Sequence, residues 1–380
     1  MVQEIAFTSN PNMDAALRDL FGQLKGNPSS YKAIIFVASV CYDFPLLSQK
    51  IHEQFPHCEV MGASTSGEIC DTKGFTKKSI VLTTMSDPVT RVSGVIFDGI
   101  DQFPIVHRKK IADAATKAGI CVGRPGANKD CFALTFINGL CNAEEATLAL
   151  LNAVIGDKDF AIAGGSAGDD LQFKQTYVSY NGETVSHGAA VLFFKTQKKF
   201  VIKRENIFAP SGKTLRLTGV DIESRTIRTI NNQSPKRAYA QALDIAESEA
   251  GNAALTHPLG RAYGDDVFIS SIANFNPDGS MGMYCRVLPN AGVELMNPLD
   301  AVQIAHDTGK AFSDEIQKQG FVFLVNCILR TIGFEQQGLT ERIADTWRKY
   351  FPAYCGFSSY GEQKDHLNFN QTLLAIVVEA

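Results

Sequence analysis

The chain has 380 residues, 45% of them hydrophobic and 20% charged, the balance of an ordinary globular protein, and its length suits two domains or one built from duplicated units. The net charge of −4 comes with 36 basic residues spread along the chain, so nothing points to nucleic acid; the densest basic cluster, His107 to Lys110, reads as a solvated face. No apolar run approaches the ~18 residues that span a bilayer.

The N-terminal stretch "MVQEIAFTSNPNMDAAL" lacks the basic and apolar regions of an export signal. Residues 1–30 read as a helical lead-in. From Ala33, "AIIFVASV" is a continuous apolar run of the kind a buried strand shows. The segment "DFPLLSQKIHEQF" follows, with Leu46, Leu47, Ile51 and Phe55 at helical spacing. A short strand then runs into the glycine turn of "CEVMGASTSGE", and the strand "SIVLTTM" closes the unit.

The same order recurs from Phe132. "FALTFING" is followed by the helix "NAEEATLALLNAVIG", for which Asn142 and Glu145 predict a capping box, and then by "FAIAGGSAGDD". Asn181-Gly182 predicts a tight hairpin in "TYVSYNGETVSHGAAVLFF". From Lys199 to Thr229 the sequence reads as successive strands. Ser234-Pro235 then opens the helix "PKRAYAQALDIAESEA", and "NPDGS" joins two further strands through a Pro-Asp-Gly turn. The unit returns a third time as "FVFLVNCIL", a helix around "LTERIADTWRKYF", "CGFSSYGEQ" and "TLLAIVVE". Ala33 to Gly62, Phe132 to Gly164 and Phe321 to Gly356 are separations of 29, 32 and 35 residues. A mixed α/β fold of helix-covered sheets follows, with internal duplication and a domain boundary near Asn231: one domain over 31–231, a second over 232–380.

"GGSAGDDL", Gly164 to Leu171, contains the Gly-x-Ser-x-Gly spacing of a nucleophile elbow, which would make Ser166 the nucleophile of a serine hydrolase. That elbow needs a helix directly after the serine, whereas Asp169-Asp170-Leu171 leads into β-rich sequence. The other two turns break the spacing. Ser166 therefore reads as a turn residue, and no enzyme is expected. Turns rich in Gly and Ser present backbone N–H groups with little cover. Three of them lining one cavity would bring Ser64, Gly165, Ser166, Gly168 and Ser358 to a ligand, with Glu68, Asp169 and Glu362 at the rim. Such a set suits a small polar metabolite of amino-acid size.

Together "GGSAGDDLQFKQTYVSYNG", "THPLGR", "NPDGS" and "GFSSYGEQ…NQTLL" resemble the FIST proteins, bacterial signal-transduction sensors with paired N- and C-terminal domains; the likeness runs from about Ala33 to Val378. The resemblance implies a cytoplasmic ligand sensor. One branch of the family implies more: haem as cofactor, nitric oxide as the signal, and a partner histidine kinase of a two-component system as the output. A homo-oligomer is left open. Haem needs an axial ligand and an apolar pocket. Of seven histidines, His257 ranks first because Pro258 fixes its backbone direction, with His187 and His366 as alternates. For each, the ordinary reading is a hydrogen-bonded loop histidine. The nine cysteines form no Cys-x-x-Cys pair and read as free thiols. The competing expectations are thus a haem-based nitric oxide sensor, a haem-free metabolite receptor and, least of all, a Ser166 hydrolase.

Overall fold

The computed structural model describes residues 1–380 apart from positions 101, 264 and 265. The first unit comprises β1 (Val2–Thr8), α1 (Met13–Gln23), β2 (Tyr31–Ser39), α2 (Phe44–Gln54), β3 (Glu59–Thr65), the short hairpin β4 (Glu68–Cys70) and β5 (Gly74–Thr76), and β6 (Ile80–Ser86). The second repeats it as β7 (Arg91–Asp98), α3 (Arg108–Ala118), β8 (Cys131–Asn138), α4 (Glu144–Ile155), β9 (Ala161–Ala167), β10 (Val178–Tyr180), β11 (Glu183–Val185) and β12 (Gly188–Lys195). The third opens with β13 (Phe200–Asn206) and is then interrupted by an inserted, mainly β segment. The insertion holds β14 (Phe208–Asp221), β15 (Thr226–Ile230), α5 (Pro235–Leu243), α6 (Ala250–Ala253), β16 (Leu259–Tyr263), β17 (Asp266–Ser270), β18 (Ile272–Phe275), β19 (Met281–Met283) and β20 (Gly292–Pro298). The third unit resumes with α7 (Ala301–Glu315), β21 (Gln319–Cys327), α8 (Ile328–Gln336), α9 (Thr340–Tyr350), β22 (Cys355–Ser359), β23 (Glu362–Lys364), β24 (Leu367–Phe369) and β25 (Thr372–Glu379).

Each unit pairs its two long strands in parallel, β2 with β3, β8 with β9 and β21 with β22. This is the strand–helix–strand geometry that an apolar run, an amphipathic helix and a second apolar run dictate. The small hairpin does not stay in its own sheet. β4 pairs with β22, β10 with β3 and β23 with β9, so the units exchange hairpins in a closed cycle. The result is three six-stranded sheets, and a seven-stranded sheet formed by the insertion.

One face of all three sheets contributes to a single core containing Ile35, Met61 and Val81 from the first unit, Phe132, Phe136 and Phe194 from the second, and Phe323, Phe357 and Ile376 from the third. The opposite faces are covered by helices in separate clusters. Burial on both faces is why β2, β8 and β21 read as unbroken apolar runs rather than alternating ones.

Three sequence expectations about local elements are corrected by this architecture. Residues 1–30 are a helical lead-in only in part: Met13–Gln23 is helical, but Val2–Thr8 is a strand that pairs antiparallel with β6 along its length. The third apolar run does not end as strand, because Ile328 and Leu329 begin α8. The Asn142–Glu145 capping box is not made; Asn142 is left-handed at φ 53, α4 has no side-chain cap, and Glu145 is committed elsewhere. The boundary drawn near Asn231 falls inside the inserted sheet, between β15 and α5, while β13 and β25 pair with one another across it.

Candidate functional site

The three glycine turns converge. Gly62, Gly164 and Gly356 hold the same register against their parallel partners, as do Ser64, Ser166 and Ser358. Backbone bonds lock the turns to one another: Gly168 N–H donates to Ser64 O (2.9 Å), Ser166 N–H to Gly361 O (2.8 Å) and Ser358 N–H to Gly67 O (2.8 Å). The contact is tight; a Cβ on Gly168 would lie 2.5 Å from Ser66 Oγ.

None of the residues expected to meet a ligand at the turns lines the cavity described below. Ser64, Glu68, Ser166, Asp169, Ser358 and Glu362 are all buried and all bonded within the chain. Ser64 Oγ donates to Gly168 O, and Ser358 Oγ is bonded to Thr331 Oγ1. Glu68 accepts from Thr65 and Ser79, and Glu362 from Ser359 and Thr372. Neither carboxyl meets a cation there. Burial drives Glu68 up to about 8 and Glu362 up to about 7, although the hydroxyl donors pull the other way. These acids lie beneath the surface rather than at a rim.

A cavity of about 400 Å³ opens beside the second turn, where units 2 and 3 meet the insertion. Its apolar wall includes Leu140 and Leu171 of unit 2 and Ile328, Leu329 and Ile332 of α8, with Met283 from the insertion. Glu144, Arg225, Tyr284 and Tyr360 bring polar atoms, and Phe173 sits at the mouth. The loop 139–142 is held close to the turn: a Cβ on Gly139 would lie 2.3 Å from Ala167 O.

The charged end is a buried triad. Arg225, in the turn between β14 and β15, donates through Nη2 to Glu144 Oε2 (2.7 Å) and Glu145 Oε2 (2.6 Å), and through Nη1 to Tyr284 O (2.8 Å). Glu144 is about 3% exposed, and its other oxygen accepts from Ser166 Oγ at 3.2 Å. Burial pushes Glu144 above the usual carboxylate range despite Arg225. Glu145 is buried less favourably for its neutral form: Arg225 and the Arg286 N–H, bonded at 2.9 Å, outweigh desolvation and hold it low. Both glutamates stand in the first turn of α4, where the helix dipole favours negative charge. Arg225 fastens the insertion to the second unit through this triad.

The mouth is formed by the loop after β9, and Asp169 organises it. Its carboxylate accepts from three consecutive N–H groups, Phe173 (3.0 Å), Lys174 (2.6 Å) and Gln175 (3.0 Å), and from Tyr360 Oη at 2.6 Å. Phe173 stacks on Tyr360 with ring centroids 5.4 Å apart and planes 16° from parallel. Asp170, Leu171 and Phe173 are left-handed, with φ of 55°, 62° and 53°, and Phe173 is still exposed. Side chains of that size rarely adopt this conformation, and such strain gathers at binding sites.

Ser166 is wholly buried, accepting from Gln363 Nε2 at 2.9 Å as it donates to Glu144, so it positions Glu144 instead of attacking anything. Of the residues predicted from sequence, Ser166 and Asp169 touch residues of this cavity, whereas Gly165 packs on Val325 and Phe357, Gly168 packs on Ser66, and Ser64, Glu68, Ser358 and Glu362 belong to the turn core. Glu144, Arg225, Phe173 and Tyr284 went unread. The paired acids opening α4 were a usable signal; Arg225 carries none in its local sequence.

The histidines lie elsewhere. His257 belongs to the insertion, with Nδ1 3.0 Å from Thr256 Oγ1. His187 is exposed, with Nδ1 3.1 Å from Ser186 Oγ. His366 lines a different, charged cavity of about 270 Å³ with Lys158, Lys364 and Asp365. No group of three or more His, Cys, Asp or Glu placed to hold a metal ion occurs among the described residues. At the main cavity the Tyr360 hydroxyl is spent on Asp169 and on the Leu171 N–H (3.0 Å). No histidine or cysteine is among the described residues that line this cavity.

An inward-bonded serine and a strained loop beside a charged cavity set the second unit apart. The FIST N domain matches residues 32–233 and the FIST C domain residues 236–364. The chain belongs to the FIST family, whose domains are non-catalytic sensory modules of signal transduction. Among curated proteins none matches. Two solved structures of cyanuric acid hydrolase, one of them from A. caulinodans, are similar over 100% of this chain and 99% of theirs, at 7% and 8% identity and TM-scores of 0.36 and 0.37. At that level the likeness bears on neither site nor function. No helix among the described residues is long and apolar enough to cross a membrane.

Proposed function

We propose that this FIST protein is a haem-free receptor for a small metabolite, with the ligand bound in the cavity between units 2 and 3 and the insertion. The observation that carries the reading is the buried Arg225–Glu144 pair at the end of an apolar cavity of about 400 Å³, closed over by a strained loop. Pockets that bind small molecules combine an apolar lining with a few converging polar groups in this way.

The same pair supports a means of signalling. Arg225 holds the insertion to α4, so a ligand that competes for Glu144 or Arg225 shifts the equilibrium between fastened and released insertion. A partner signalling protein reads that difference; the family resemblance points to a histidine kinase. Cys41, Cys58, Cys70, Cys121, Cys131, Cys285, Cys327 and Cys355 are free thiols, which suits the reducing cytoplasm.

A thermal-shift screen of small metabolites tests the reading, run beside ultraviolet–visible spectra after haemin reconstitution. A ligand that raises Tm in the wild type and not in a variant with the cavity filled, Ile332→Trp, supports it. A sharp Soret band that moves with nitric oxide, together with an empty metabolite screen, overturns it in favour of haem sensing.

A further inference from the structure

Resting on the reading of this cavity as the ligand site, we propose that the ligand is a hydrophobic monocation, a primary amine on an aromatic or aliphatic body, whose ammonium group donates to Glu144. The argument begins with the hydrogen-bond accounting at the charged end. Both hydrogens of Arg225 Nη2 are spent on Glu144 and Glu145, and Nη1 donates to Tyr284 O. The guanidinium, the one cation among the described residues that line the cavity, thus commits three of its five N–H groups to protein acceptors.

The carboxylates are not used up in the same way. Each oxygen of Glu144 accepts one bond, from Ser166 Oγ or from Arg225 Nη2, and a carboxylate oxygen has room for two. Two carboxylates face the Arg225 guanidinium in a nearly dry site, and of the two it is Glu145 that Arg286 also stabilises, through its N–H and its charge, which leaves Glu144 to share Arg225. Glu144 thus keeps spare acceptor capacity and shares its cation with Glu145. A ligand that brings donors and a positive charge answers both; a carboxylate ligand answers neither and would meet Glu144 as a like charge.

The rest of the cavity specifies the body of the ligand. Leu140, Ile328 and Ile332 offer aliphatic contact, and the stacked Phe173–Tyr360 pair presents an aromatic platform at the mouth. Aromatic faces also attract cations, which suits an amine in transit past them. A free amino acid fits less well, because its own carboxylate would enter beside Glu144.

Isothermal titration of the full chain with 2-phenylethylamine, phenylalanine and phenylacetate tests the class without any variant, since the three share one ring and differ in charge. The amine is expected to bind about ten- to a hundredfold more tightly than phenylalanine, with phenylacetate undetected, the difference a hydrogen bond to a charged group supplies. Glu144→Gln is expected to abolish that preference. Equal or tighter binding of phenylacetate overturns the proposal and makes Arg225 the ligand partner. No binding by any of the three, with a hit elsewhere in the metabolite screen that Ile332→Trp removes, overturns the ligand class and leaves the receptor reading standing. A screen empty of every ligand removes both.

Discussion

Units 1 and 3 treat the acid after the glycine turn alike, and unit 2 does something else. Glu68 and Glu362 each turn inward, accept from a hydroxyl three residues earlier, Thr65 or Ser359, and accept again from the residue opening the closing strand, Ser79 or Thr372. In unit 2 the place of Ser79 and Thr372 is taken by Gly188, which has no hydroxyl to give. Asn138 fills the gap, its Oδ1 accepting from Gly188 N–H at 2.8 Å and its Nδ2 donating to Thr176 O at 2.8 Å. The acid is thereby freed: Asp170 reaches out to Ser39 Oγ (2.6 Å) and Asp169 ties down the loop above. The cavity lies where the threefold pattern breaks. A repeated architecture supplies rigidity, and departure from the repeat supplies the site.

The comparison breaks most severely at the triad. Arg225→Ala leaves Glu144 buried without its cation, a loss on the order of 3–5 kcal/mol. Denaturant unfolding is expected to show it, with hydrogen exchange rising first in the insertion. An equal rise across all three units would mean that Arg225 does not fasten one region in particular.

Asp169→Asn comes next. Exchanging a carboxylate for an amide weakens four hydrogen bonds to one side chain, about 1–3 kcal/mol. The amides of Phe173 to Gln175 are expected to exchange faster while the β4–β5 hairpin of unit 1 stays protected. Unchanged protection at Phe173 would take the loop out of Asp169's control.

The two matching acids sharpen the contrast through pH. An unfolded carboxyl titrates near its ordinary value of 4.5, whereas folded Glu362 and Glu68 hold their protons to about 7 and about 8. Below 4.5 both states are protonated and the stability is fully present. Between 4.5 and 8 the unfolded chain ionises first, so stability falls as pH rises through the folded values. Tm is expected to decline over that window, and Glu68→Gln with Glu362→Gln to flatten the decline without unfolding the protein. A slope that the double variant leaves intact would assign the titration to other groups.

The smallest effect belongs to the residue that first drew attention. Ser166→Ala removes one weak donor to Glu144, while Gln363 Nε2 keeps Gly361 O and Asn368 Oδ1 as acceptors. A change within about 1 kcal/mol is expected, and fluorophosphonate should leave Ser166 unlabelled. Labelling at that position would reopen the hydrolase reading.

What could be read in advance follows from how local each signal is. The three apolar runs announced β2, β8 and most of β21 because burial on both faces leaves a continuous signature. Asn181-Gly182 announced its hairpin because both residues must be left-handed, with φ of 48° and 83°. The hairpins β4–β5 and β23–β24 passed unseen because three-residue strands are too short to show a period. α8 was lost inside "FVFLVNCIL", where the change from strand to helix occurs with no change in polarity. The site suffered most. Arg225 meets Glu144 across 81 residues of sequence and Tyr360 meets Asp169 across 191, and no spacing rule reaches that far.

The exchange of hairpins has a consequence for how the molecule is made. No unit completes its own sheet: β3 waits for β10, β9 for β23, and β22 for β4, whose sequence lies almost 300 residues earlier. Local contacts alone cannot consolidate any one of them, so the chain closes its ring late and as a whole, a topology that slows folding. During synthesis the first unit would emerge with an open strand edge at β3 and a hairpin with nowhere to dock. The apparent modularity of the sequence is therefore not a modularity of folding.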